Sequence, residues 1–93
     1  MSDSIARRLE VHGRVQGVFF RAGTRRHARA NGIDGWVANR SDGTVEAWLE
    51  GDGAAVEAVE SWIRAGGPPQ ARVTRVDAHT VAVAGHDGFE VRA

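Results

Sequence analysis

The sequence predicts an α+β two-layer sandwich, one sheet covered on a single face by two helices. Three observations carry that expectation. Segments alternating apolar and polar residues are separated by two stretches of helical character. Their order is strand, helix, strand, strand, helix, strand, with a short further strand at the end. The second helical stretch carries an apolar stripe on one side only, so it needs one sheet face to cover. The chain has 93 residues, 42% hydrophobic and 26% charged, which suits a single small globular domain over 1–93, structured from about 6 to 92.

Leu9, Val11, Gly13 and Val15 alternate with Arg8, Glu10, His12 and Arg14, the period of a first strand. The polar stretch Ala22 to Asn31 reads as a helix, because Ala and Arg are good helix formers and Asn31-Gly32 supplies a stop. Its amphipathicity is poor: Phe20, Thr24, Ala28 and Asn31 share one face. Gly35 to Arg40 and Thr44 to Glu50 read as two strands joined at the turn signal Ser41-Asp42-Gly43. Asp52 is placed to cap a helix from about Gly53 to Ala65. Its stripe is Ala55, Val56, Val59, Trp62 and Ile63, with Glu57 and Glu60 turned outward. Gly66-Gly67-Pro68-Pro69 ends it. A strand over about Ala71 to Ala78 follows, then the ambiguous run Thr80–Ala84, expected at most to extend an edge strand. A turn at 85–88 leads into a short strand Phe89–Arg92. This βαββαβ order with a short C-terminal extra strand is that of the ferredoxin-like fold.

Composition removes several kinds of chemistry. The 12 basic and 12 acidic residues cancel, which argues against bulk nucleic-acid binding. Without cysteine there is no disulfide framework, thiolate metal site or thiol nucleophile. No apolar run approaches the ~18 residues of a membrane span, and the first residues lack a signal-peptide core. A cytoplasmic monomer is the expectation. His12, His27, His79 and His86 show no metal-ligand spacing, so no metal is expected. His12 reads as solvated or structural. All 12 basic residues are arginine, whose planar fork suits phosphate or carboxylate. Residues 1–41 hold eight of them against three acids, a net +5, and residues 42–93 a net −5. A small anion would be favoured by the first half.

Gly13-Arg14-Val15-Gln16-Gly17-Val18-Phe19-Phe20-Arg21 joins the first strand to the first helix. Such a turn aims backbone N–H groups at one point, and the helix dipole adds about half a positive charge there. Gly17 allows a backbone conformation that strains other residues. Arg21 can close the site from the first helical turn. An ordinary connection bearing a surface arginine is equally compatible with the residues. The loop lacks the Gly-Lys-Ser/Thr ending of a nucleotide-binding loop. Asn39, at the end of the second strand, is either a turn former satisfying local backbone groups or the holder of a water beside the anion.

The nonapeptide from Gly13 to Arg21 resembles the first acylphosphatase signature, Gly-x-Val-Gln-Gly-Val-x-Phe/Tyr-Arg, at every position. Gly35-Trp36-Val37-Ala38-Asn39, followed by Gly43-x-Val45 and Gly51, is similar to the second signature at the right spacing. The resemblance covers residues 6–92. It implies hydrolysis of acyl phosphates to carboxylate and inorganic phosphate, without metal or cofactor, and inorganic phosphate as product and inhibitor. It further implies that Arg21 and the backbone amides of Gln16, Gly17, Val18, Phe19, Phe20 and Arg21 bind the phosphoryl group. Asn39 would position the water, and the substrate's own phosphate would accept its proton. Three residues depart from the family pattern. His27 and Asn31 stand where aliphatic residues are usual, and Gly23 where a larger one is common. Two rivals stay open: a non-enzymatic binding module using the open sheet face around Trp48, and a carbamoyl-phosphate domain of the kind found in much longer carbamoyltransferases.

Overall fold

A computed structural model describes residues 3–92. Its elements are β1 (Ser4–Arg14), α1 (Phe20–Ala30), β2 (Asp34–Asn39), β3 (Val45–Asp52), α2 (Gly53–Arg64), β4 (Arg72–Val81) and β5 (Phe89–Arg92). The sheet runs β4-β1-β3-β2-β5, antiparallel except for the parallel β2–β5 pair. This is the expected ferredoxin-like order, with the short last strand added beside β2. Both helices pack on one face, α1 over β2 and β5, α2 over β1, β3 and β4.

The period-two pattern decides which side chains reach the core. Leu9 and Val11 of β1, Val37 of β2, and Val45, Ala47 and Leu49 of β3 are all fully buried beneath the helices. Val56, Val59 and Ile63 of α2 meet them, as the stripe predicts. From α1, Phe20, Thr24 and Ala28 are buried, and Thr24 returns its hydroxyl hydrogen bond to the Phe20 carbonyl at 2.9 Å. Asn31 leaves that face. It caps the helix end, its side-chain amide donating to the His27 carbonyl at 2.8 Å.

Two further expectations are corrected. Glu60 is buried rather than turned outward. Its carboxylate accepts from Arg7 Nη1 at 2.7 Å and Arg64 Nε at 2.8 Å, so cross-element pairing supplies what solvent would otherwise give. Burial pushes its carboxyl up, but the two guanidinium hydrogen bonds outweigh this and hold it below its ordinary range.

The run 80–84 is only partly an edge extension. Strand β4 continues to Val81, and the chain then crosses from one sheet edge to the other to reach β5. Glu50 holds that crossing. Its carboxylate, buried on the sheet face opposite the helices, accepts the N–H groups of Ala84, Gly85 and His86 at 2.8–3.0 Å, plus Trp48 Nε1 at 3.0 Å. Burial raises the Glu50 pKa, yet these donors together bring it below the ordinary 4.5.

The sign of the pH effect follows. A carboxylate depressed in the folded state stabilises above its ordinary value, and that contribution is lost as pH falls through the lower folded value. Glu50→Gln is expected to lower unfolding free energy near pH 7 by about 2 kcal/mol, because donors are left facing an amide. The gap between the two proteins should narrow in urea titrations as pH drops below 4.5.

Candidate active site

Strand β1 delivers the connecting loop to α1 through a register shift at His12/Gly13 in its pairing with β4. Within the loop, Gly17 has φ 74 and Phe19 φ 63, whereas Gln16, Val18 and Phe20 keep negative φ. Alternating hand along a short segment curls its N–H groups inward into an anion-binding nest. Phe19 holds the left-handed conformation without being glycine, at a cost of about 1–2 kcal/mol. Strain of this kind concentrates at functional positions.

The same residue is the N-cap of α1, and no side chain caps that end. The first helical hydrogen bond runs from Gly23 N–H to the Phe19 carbonyl at 3.0 Å. The amides of Phe20, Arg21 and Ala22 therefore precede the helical ladder and point out of its positive end. There is no acidic residue in the first turn to neutralise it.

Gly17, Phe19, Phe20, Arg21 and Asn39 line one cavity of about 370 Å³. The structure thus brings the two proposed catalytic side chains to the same place as the loop. Gln16 and Val18 do not line it. The Gln16 side-chain amide donates to the Arg40 and Thr44 carbonyls at 2.8 and 2.9 Å, stapling the loop to the β2–β3 hairpin beside Asn39. Val18 turns inward and is buried.

Asn39 does not serve as the turn former. Asp42 does that work, its Oδ1 accepting from the Thr44 amide at 3.0 Å and the Thr44 hydroxyl at 2.6 Å. Among the described residues, Asn39 Oδ1 is the buried side-chain polar atom with no hydrogen-bond partner. An acceptor left so costs about 1–3 kcal/mol.

Two contributors escape sequence reasoning. Arg25 lines the same cavity one turn after Arg21, and that i, i+4 spacing was the available signal. The Arg21 guanidinium is oriented by the Arg92 carbonyl, to which Nη1 donates at 2.9 Å. That partner lies 71 residues away, and only the parallel placement of β5 on β2 brings it near.

A second polar cluster lies elsewhere. Glu10, His12 and Asp77 on the open sheet face offer ligand atoms within 4.8 Å of one another, a grouping that pairing of β1 with β4 creates and no sequence spacing reveals. Arg8 holds Glu10 at 2.7 Å, and Arg75 holds Asp77 at 3.1 Å. Each carboxylate already has an arginine partner, and His12 Nε2 lies 3.1 Å from Asp77, so the cluster is a partly exposed polar network. On the same face Trp36 stacks with Trp48, 6.4 Å between centroids, while Arg92 covers Trp36 and His86 meets Trp48 edge-on.

Comparison with known proteins places this geometry in a family. The acylphosphatase family model matches residues 7–91. An acylphosphatase of Natronomonas pharaonis is 52% identical over 92 residues, covering 99% of both chains. The structure of an acylphosphatase from Coxiella burnetii superposes with a TM-score of 0.92 at 36% identity, covering 97% of this chain and 94% of that one. Full-length HypF in its phosphate- and nucleotide-bound form gives 0.93 at 26% identity, but this chain spans only 12% of its length. With nearly the whole chain matched by a family model, and by relatives of its own length, the chain belongs to the acylphosphatase family.

Proposed function

We propose that this chain hydrolyses small acyl phosphates by holding the phosphoryl group in the β1–α1 loop and delivering a water from Asn39. The observation that carries this is the meeting of an uncapped helix N-terminus, Arg21 and the orphaned Asn39 oxygen in one cavity. The amides of Gly17, Phe19, Phe20 and Arg21, residues that line the cavity, and the Arg21 guanidinium neutralise the phosphoryl oxygens. Asn39 Oδ1 accepts a hydrogen bond from the water and fixes its approach. The water oxygen forms the new P–O bond as the bond to the acyl oxygen breaks, and the electron pair departs with the carboxylate. The water's proton passes to a phosphoryl oxygen. Positioning and charge stabilisation are the main demands of such a transfer, and a carboxylate leaves without a dedicated general acid.

The open sheet face supports a binding module poorly, because Arg92 and His86 already occupy its tryptophans and Glu46 and Glu50 flank Trp48. The enzyme acts as a monomer in the cytoplasm, with inorganic phosphate as product and competitive inhibitor. Purified protein is expected to hydrolyse benzoyl phosphate, followed by loss of its ultraviolet absorbance. The rate should be the same with and without EDTA, since the Glu10, His12, Asp77 cluster is held by arginines and lies outside the cavity. Activity lost to EDTA and restored by a divalent ion would overturn the metal-independent mechanism.

Gly17→Ala tests the amide cradle. A Cβ there meets nothing within 4 Å, so the change acts through φ 74 alone. It is expected to lower stability by about 1 kcal/mol and, by reorienting the amides, to weaken phosphate inhibition roughly tenfold. Unchanged phosphate inhibition would mean the amides are not the anion's ligands.

A further inference from the structure

A second cavity, of about 580 Å³, adjoins the first, and the two share Phe19 and Ala22 as a common wall. We infer that this groove between α1 and the end of α2 is the subsite for the acyl group, shaped for a flat aromatic one. The inference rests on the phosphoryl group occupying the neighbouring cavity.

Flat rings and proline faces make up much of the groove, with Arg26 and Gln70 as its polar side chains. Trp62 of α2 and His27 of α1 stack with centroids 4.1 Å apart and an interplanar angle of 23°. Pro68 and Pro69 line it from the segment after α2, and Phe19 from the phosphate side. Phe19 is 74% exposed, the most exposed large hydrophobic residue among those described. A strained backbone and an uncovered ring at one residue are both unfavourable for an isolated domain, and a ligand lying against that ring resolves the second. Besides His27, the only ionisable group on the lining is the exposed Arg26.

Gly23 explains how the floor forms. A Cβ at that position would meet Trp62 Cη2 at 3.0 Å. Its absence lets the indole lie against α1 and stack on His27. Two of the three departures from the family pattern, Gly23 and His27, therefore act together on one feature. In-line displacement also places the leaving group away from the water. Asn39 lines the phosphoryl cavity and is absent from the groove, so a leaving acyl group directed past Phe19 enters the groove. Aromatic rings prefer stacked or edge-on contact with such surfaces, and an acetyl group offers no ring to them.

The test uses two non-hydrolysable analogues, benzoylphosphonate and acetylphosphonate, titrated into the wild-type protein and followed by NMR. Both are expected to shift the loop amides of residues 16–21, and only the benzoyl compound should shift the Trp62 indole N–H and the His27 ring. Loop shifts from both with Trp62 and His27 unmoved would overturn the acyl subsite while leaving the phosphoryl site standing. No loop shifts from either would overturn the phosphoryl site and the subsite with it. Kinetics give an independent arm. His27→Ala should lower kcat/KM for benzoyl phosphate about fivefold, the effect of losing part of an aromatic contact, with acetyl phosphate turnover and phosphate inhibition unchanged. An equal fall for both substrates would contradict the assignment.

Discussion

Arg21→Ala is expected to reduce kcat/KM for benzoyl phosphate by on the order of 10³-fold or more, the range over which arginines act on a phosphoryl transition state. The three phosphoryl oxygens reach their trigonal, equatorial arrangement only as the bond to the carboxylate breaks, and the planar fork is set to meet that arrangement. The guanidinium's contribution is therefore larger there than in the bound ground state. Inorganic phosphate should still lose affinity, because a charge-assisted contact of about 1.5–3 kcal/mol is gone. Stability should change little. The side chain gives up one hydrogen bond, to the Arg92 carbonyl, and that acceptor lies at an exposed strand end where water replaces the donor. Arg21→Lys is expected to be nearly as inactive. An ammonium cannot donate to the Arg92 carbonyl and grip two phosphoryl oxygens with the same fixed fork. Near wild-type hydrolysis by folded Arg21→Ala protein would remove Arg21 from the mechanism.

Much of this arrangement is legible in the sequence, and what is not has an identifiable physical reason. Helix α2 is read correctly because its stripe repeats at helical spacing and is bounded by Asp52 and the Gly-Pro run. The β2–β3 hairpin is read from its turn residues. Local signals fail where a distant element decides the outcome. Glu60 looks like a solvated helix residue until Arg7 of β1 is brought across to it. The 82–88 crossing has no repeating pattern, since carboxylates of two other strands, Glu50 and Asp34, organise it.

The site divides in the same way. Gly17, Arg21 and Asn39 are singled out by the resemblance to the two signatures, and the fold brings them to one cavity, although the turn and strand patterns alone leave Asn39 open as a turn former. The left-handed Phe19 is not, since nothing in a phenylalanine announces positive φ. The stacking of His27 on Trp62 depends on how α1 and α2 meet. From the sequence, His27 and Gly23 look like unrelated departures from an aliphatic helix face.

Asn39 separates the structural role from the catalytic one more sharply than any other residue. Were it only a turn former, Asn39→Ala would lower stability by about 1 kcal/mol and leave turnover per folded molecule unchanged. The hairpin already has its turn former in Asp42, and the Asn39 oxygen is paired with no described group. Truncation removes an unsatisfied buried acceptor, so the urea midpoint is expected to stay the same or rise slightly. Activity should move the other way. A water no longer held on the line of attack costs kcat roughly 10²-fold or more, as loss of one positioning contact can. Inhibition by inorganic phosphate should persist, because the loop amides and Arg21 are untouched. Asn39→Asp keeps the size and the acceptor but adds a negative charge within the phosphoryl cavity, and it should be as poor as alanine. Measuring kcat, phosphate inhibition and the urea midpoint on one alanine variant resolves the two roles. Lost stability and lost phosphate binding with kcat preserved would show that this strand-end asparagine serves the fold alone.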